Sequence, residues 1–284
     1  MKIQLILILT VILFSCGNKK TRIEVKSAST QLTIKLNDST FDRNEFDRKF
    51  ETVKWLCKYD EIAWVTTDEI QIKHHELMKD LGKEWYCFED TKNNWHALYG
   101  KFENNNYRPV IHFIVDSSNQ PKPSLEEIDT LTLNSYGRAI YNANKLFSKI
   151  KDTLMVNVGF NQFIRQNADN TLTVYILPAI QQDNIAVYGG EFIYTFDSFG
   201  SKLKKDDSYF QGNFRGYKTG SEEEVILNYS EFNNPTLGSI FFTWYFKDYF
   251  PKVILYSRKA RSSPFRHQED NSFYWVHALM DENP

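Results

Sequence analysis

Charge of one sign is scarce in this chain of 284 residues: 34 basic side chains face 36 acidic ones, for a net of −2. That balance excludes the basic surface on which nucleic-acid binding depends and gives no bias toward acidic substrates. Long apolar runs are missing too. The longest opens at Ile3 and closes at Phe14, short of the about 20 residues that a spanning helix needs. There is no Gly-x-Ser-x-Gly elbow, P-loop, dinucleotide fingerprint or His-Glu-x-x-His, so no catalytic class announces itself. Internal repeats are absent, and only three cysteines occur.

What is present begins at the N-terminus. Lys2 precedes the apolar run, and Leu13-Phe14-Ser15-Cys16 closes it. A basic start, a short apolar core and a small residue at the cut site make a secretory leader. The four closing residues resemble the lipobox of bacterial lipoprotein signal peptides. That resemblance implies removal of residues 1–15 and a diacylglyceryl group, with a further palmitate-type chain, on Cys16. The competing pattern is an ordinary leader that ends near a cysteine. Two or more acyl chains, at about 0.8 kcal/mol per buried CH₂, hold a protein on a bilayer without a spanning helix. Residues 16–30 then read as a polar tether with Lys19, Lys20 and Arg22 near anionic headgroups. Gly17 and the lack of acidic residues after Cys16 lead to an expected outer-membrane site facing the periplasm. Loss of residues 1–15 removes Lys2 alone from the charged set, leaving 33 basic and 36 acidic residues.

Once Cys16 is acylated, Cys57 and Cys87 remain in an oxidising compartment where a bridge is permitted. Closing that loop would stabilise by roughly 3–4 kcal/mol. Cys57 also follows Phe46, Phe50 and Val53 on one helical face, which fits a buried unbridged thiol equally well.

The pattern predicts an α+β fold, with antiparallel β-meanders, a few packed helices and a mostly β C-terminal half. Ser39 with Asp42 has capping-box spacing before a helix carrying Phe46, Phe50, Val53 and Cys57. A second helix is expected over 68–81. Strands are expected at Glu84–Glu89, Trp95–Phe102 and Tyr107–Val115, separated by Asn-rich turns. Ser117 to Pro123 reads as a linker dividing a unit at 31–116 from one at 124–284. Ser124 with Glu127 opens a helix running toward Lys151, after which strands dominate, including Ser239–Phe246 and Phe273–Leu279. Gly189-Gly190 signals a turn or bulge. Tyr175…Pro178, Gly189-Gly190-Glu191 and Asp197-x-x-Gly200 together resemble segments of uncharacterised secreted bacterial proteins, a likeness that implies no activity.

Candidate chemistry is sparse. His96 and His112 sit on strands that pair as a hairpin: one register sets them on opposite faces, another sets them side by side, where a metal would still lack a third ligand. His267, Glu269, Asp270 and His277 mix acids with histidines, as a hydrolase would need and as a solvated loop also supplies. Arg258, Arg261 and Arg266 form a basic cluster that could grip an anionic headgroup or phosphosugar, or be solvated. Trp85, Trp95 and Tyr99 could stack sugars or pack a core, and Trp244, Tyr245, Tyr274 and Trp275 pose the same choice. The expectation is a lipid-anchored envelope protein, non-catalytic and without cofactor or nucleic acid. It would bind a partner protein or a glycan. The alternatives are a periplasmic hydrolase using His or acidic residues, with or without a metal, and an assembly component docking by strand edges.

Overall fold

The computed structural model describes residues 41–154, 157–221 and 224–280. The leader, the lipobox cysteine Cys16, the tether and Ser39 lie outside them. The fold is α+β, with the C-terminal half mostly strand.

Asp42 caps helix α1 (Arg43–Lys73), its carboxylate accepting the Glu45 N–H at 3.0 Å. The helix then continues for 31 residues, through the stretch where the sequence suggests a break and a second helix. A buried stripe from Phe46 through Val53, Leu56, Tyr59, Ile62, Thr66 and Ile70 keeps one face on the core at spacings of three and four. A 3₁₀ turn (His75–Asp80) replaces the rest of the expected second helix.

Strands β1 (Tyr86–Glu89), β2 (Trp95–Glu103), β3 (Asn106–Val115) and β4 (Pro121–Pro123) form the first antiparallel sheet in that order. The end of the expected linker is thus a strand. Helix α2 (Thr130–Leu154) starts six residues after Ser124, because Asp129 rather than Ser124 accepts the free N–H groups of Leu131 and Thr132. Strands β5 (Phe160–Gln166), β6 (Leu172–Pro178), β7 (Ile185–Phe196) and β8 (Leu203–Asp206) make a second sheet, with β9 (Tyr209–Lys218) also on β7. The third sheet runs β10 (Val225–Tyr229), β11 (Val253–Ser257), β12 (Ala260–Arg266), β13 (Phe273–Leu279), its first pair parallel.

One expected strand is a helix. Residues Leu237–Tyr245 form α3, capped by Thr236, although Ile, Phe, Thr, Trp and Tyr there favour strands. Of the basic cluster, Arg261 and Arg266 lie on strand β12 and Arg258 in the turn before it.

The first two sheets are covered on both sides. Ala97, Phe163 and Leu177 point into a core under α1 and α3, while Leu98, Ile164 and Ile176 point into a second core under α2. Both cores draw side chains from before and after residues 117–123, and the described residues form one compact unit. No body boundary falls at the expected linker. Among the described residues no helix is long and apolar enough to cross a membrane.

Candidate polar groove

The groove starts from a mismatch between two paired strands. Tyr188 of β7 pairs with Arg215 of β9, and Gly190 pairs with Phe210, so Gly189 alone opposes residues 211–214. The surplus residues bulge out of the sheet. Gly189 has φ +124, and a Cβ there would collide with the Asn213 carbonyl, so only glycine allows this approach. Gly212 also has a left-handed φ of +88 but faces open space. The two positions separate strain from crowding. Gly189→Ala is expected to cost about 3 kcal/mol, and Gly212→Ala about 1 kcal/mol. Thermal unfolding of the two variants would contradict the bulge geometry if their losses were equal.

The bulge and the far end of β10 bound an open groove of about 550 Å³, lined by Gln211, Asn213, Arg215, Asn228, Ser230 and Glu231. The Gln211 amide donates to the Asn228 carbonyl, leaving its own oxygen buried without a partner among the described residues. On the far wall the Tyr209 hydroxyl donates to the Glu231 carboxylate, and burial followed by that carboxylate pushes the phenol well above its usual range. Arg258 reaches the same wall, donating to the Ser230 and Glu231 carbonyls at 3.4 and 3.2 Å. The lining therefore offers three amides, a hydroxyl, a guanidinium and a carboxylate. It contains no histidine or cysteine, and no cluster fit for a metal occurs among the described residues. Such a surface can hold a polar ligand by hydrogen bonds. Its one carboxylate, Glu231, is taken up by the Tyr209 hydroxyl, whose raised pKa keeps that phenol protonated.

The other expected sites resolve differently. Trp95 and Tyr99 are buried and Trp85 packs partly buried on the same core. Trp85 stacks on Tyr99 at 6.1 Å, and Trp95 meets Tyr59 edge-on at 6.0 Å. They face α1, not a ligand. Trp244 and Trp275 likewise stack at 5.9 Å beneath Phe50 of α1. Arg258, Arg261 and Arg266 do not converge. Arg261 lies over the Tyr256 ring on the outward face of its sheet, while Arg266, of opposite strand parity, pairs with Asp248 and covers Phe273. Cys57 and Cys87 are free thiols, not a bridge. Cys87 is sealed under α1, where its N–H donates to the Tyr59 hydroxyl at 2.7 Å, and burial raises both thiols, Cys57 to about 12.

His96 and His112 do meet, although the pairing next to the loop is the one expected to set them on opposite faces. The hairpin loop is two residues, Asn104-Asn105, both left-handed at φ 51 and 63, which pairs Phe102 with Tyr107. A bulge between Tyr99 and Gly100 then shifts the pairing so that Leu98 opposes His112 and His96 opposes Ile114. The two imidazoles become diagonal neighbours on one face, with His96 Nδ1 2.9 Å from His112 Nε2. Asp90 lies 3.4 Å from the other nitrogen of His96. Those two nitrogens are occupied by each other and the carboxylate is on the far side, so no three-ligand sphere exists there. Desolvation pushes Asp90 up, yet hydrogen bonds from Asn94, Lys92 and His96 together hold it at about 2, while burial and the neighbouring His96 lower His112.

His267 is exposed, 3.8 Å from Asp270 in its loop. His277 is half-buried at the other end of β13, with Nδ1 2.8 Å from the Ser262 hydroxyl. They share no site. The legible signal for the groove was Gly189-Gly190; the polar residues on β9 and β10 carry no motif. Comparison of the chain with protein-family models, curated proteins and solved structures returned no match.

Proposed function

We propose that this is a lipid-anchored protein of the bacterial envelope whose polar groove binds a glycan without transforming it. The anchor rests on Lys2, the apolar run and Leu13-Phe14-Ser15-Cys16. The binding role rests on one observation: the groove is walled by amides, a hydroxyl, a guanidinium and a carboxylate held by the Tyr209 hydroxyl. Planar amide and guanidinium groups hydrogen-bond well to neighbouring sugar hydroxyls, and a volume of about 550 Å³ falls within the range of small-ligand sites.

Two measurements test the two halves. An alkyne-tagged fatty acid should label the wild-type chain and not Cys16→Ala, and an unlabelled wild type removes the anchor. Titration with fragments of envelope polysaccharide should show binding that weakens about tenfold, near 1.4 kcal/mol, in Asn228→Ala and in Arg215→Ala at unchanged Tm. Binding that ignores both substitutions, or none at all, overturns the groove's role.

A further inference from the structure

Strands covered on both faces read as unbroken apolar runs, whereas strands with one wet face alternate. Three strands of the third sheet are of the first kind: Val225-Ile226-Leu227, Val253-Ile254-Leu255-Tyr256, and Phe273-Tyr274-Trp275-Val276. Among the described residues only the inner face is covered. There Phe46 meets Trp275 edge-on at 5.0 Å, and Trp244 of α3 stacks on the same indole. On the outer face Ile226, Phe265, Tyr274 and Val276 are 45, 44, 49 and 39% exposed, with Ile254 and Tyr256 half-buried between them. Among the outward positions of the four strands only Arg261 carries a charge, and it is folded onto the Tyr256 ring at 5.0 Å. An apolar face left in water forgoes about 25 cal/mol for each Å² that could be buried.

We infer that the outward face of the β10–β13 sheet packs against the same face of a second copy of this chain, with strands antiparallel across a two-fold axis near Val276. Three observations favour a second copy. A two-fold interface sets a patch against itself, which an uncharged apolar centre tolerates and a patch of one sign does not. The ends are complementary: the β11–β12 turn carries Arg258 and Lys259, with Arg261 just inside β12, while the β12–β13 turn at the opposite end carries Glu269 and Asp270. Antiparallel stacking brings the first end of one copy over the second end of the other. Four strands spaced about 4.8 Å apart and five to seven residues long span roughly 19 by 20 Å. That is on the order of 400 Å² per copy in flat projection, about half of what a standard interface buries on each partner, the scale of a weak, reversible dimer. An anionic bilayer fits this face less well, since Glu269 and Asp270 would be turned toward it. The inference does not depend on the groove's binding role or on the anchor, although Asn228 of the groove lies beside Tyr256 at the edge of this face.

Cysteine trapping in the full chain tests it. Under a mild oxidant Val276→Cys is expected to form a covalent band of twice the chain mass, at least tenfold above that of the exposed control Lys83→Cys. Adding Phe265→Glu to Val276→Cys should abolish the band while Tm stays within about 2 °C, because the substituted ring is exposed in the single chain. The inference is overturned if Val276→Cys gives no dimer, if Lys83→Cys gives as much, if the band survives Phe265→Glu, or if the trapped species has another mass.

Discussion

Asp60→Leu is expected to cost about 4 kcal/mol and to lower Tm by on the order of 10 °C. The carboxylate is 2% exposed yet accepts three hydrogen bonds from three elements. Trp64 Nε1 of α1 donates at 3.0 Å, Asn161 of β5 at 3.0 Å and the Tyr245 hydroxyl of α3 at 2.6 Å. Leucine strips the acceptor from the partly buried Asn161 and Tyr245 donors and from Trp64, and each buried orphan costs about 1–3 kcal/mol. Asp60→Asn keeps an acceptor oxygen and should lose less than half as much. Calorimetry decides the matter, and a leucine variant melting within 2 °C of wild type would falsify the clamp. Burial raises the Asp60 pKa even against those three donors. The folded chain therefore binds this proton more tightly than the unfolded one, and Asp60's contribution declines as pH rises from 3.8 through the folded value.

Glu191 governs α3 and sets the second large effect. Its buried carboxylate accepts the Gly238 and Leu237 N–H groups and the Thr236 hydroxyl, so a fixed negative charge sits on the helix N-terminus. Substitution by leucine strips those partners from a segment that by composition prefers a strand, at an expected cost of about 3 kcal/mol. Glu191→Gln separates charge from shape. Burial lifts the carboxyl from 4.5 to about 6 despite its donors and the nearby Lys49. Because this acid binds its proton more tightly when folded, stability from Glu191 is full below pH 4.5 and declines as pH rises through about 6. The decline amounts to about 2 kcal/mol over that window. His277 acts oppositely. Burial lowers it to about 4, so its contribution is lost as pH falls from 6.5 through that value. The difference between wild type and Glu191→Gln cancels the histidine and isolates the carboxyl. Unfolding free energies whose difference stays flat between pH 4.5 and 6 would refute this assignment.

Turns and meanders were legible because they are local. Asn93, Asn104, Asn105 and Asn170 all adopt the left-handed backbone expected of them, and Gly200 does so in the turn after β7. Strands β10, β11 and β13 fall where their β-branched and aromatic runs end. Helix α3 was not legible. Its fate depends on Glu191, 46 residues upstream of Gly238's neighbour Leu237, and on burial of Phe242 against Tyr188 of β7 and of Phe241 against Phe163 of β5. The aromatic sites misled for a related reason: residue type gives the stacking surface, and only packing shows whether α1 already occupies it.

By itself the amino-acid sequence determined the α+β class, the turn positions, the Gly189-Gly190 bulge signal and the leader pattern ending at Cys16, all matters of neighbours within a few residues. Tertiary structure alone decided which polar residues share the groove, how His96 comes to face His112, and which sheet face stays bare. A one-residue bulge reverses the side on which every later side chain of a strand lies, and that slip is fixed by contacts far away in the chain.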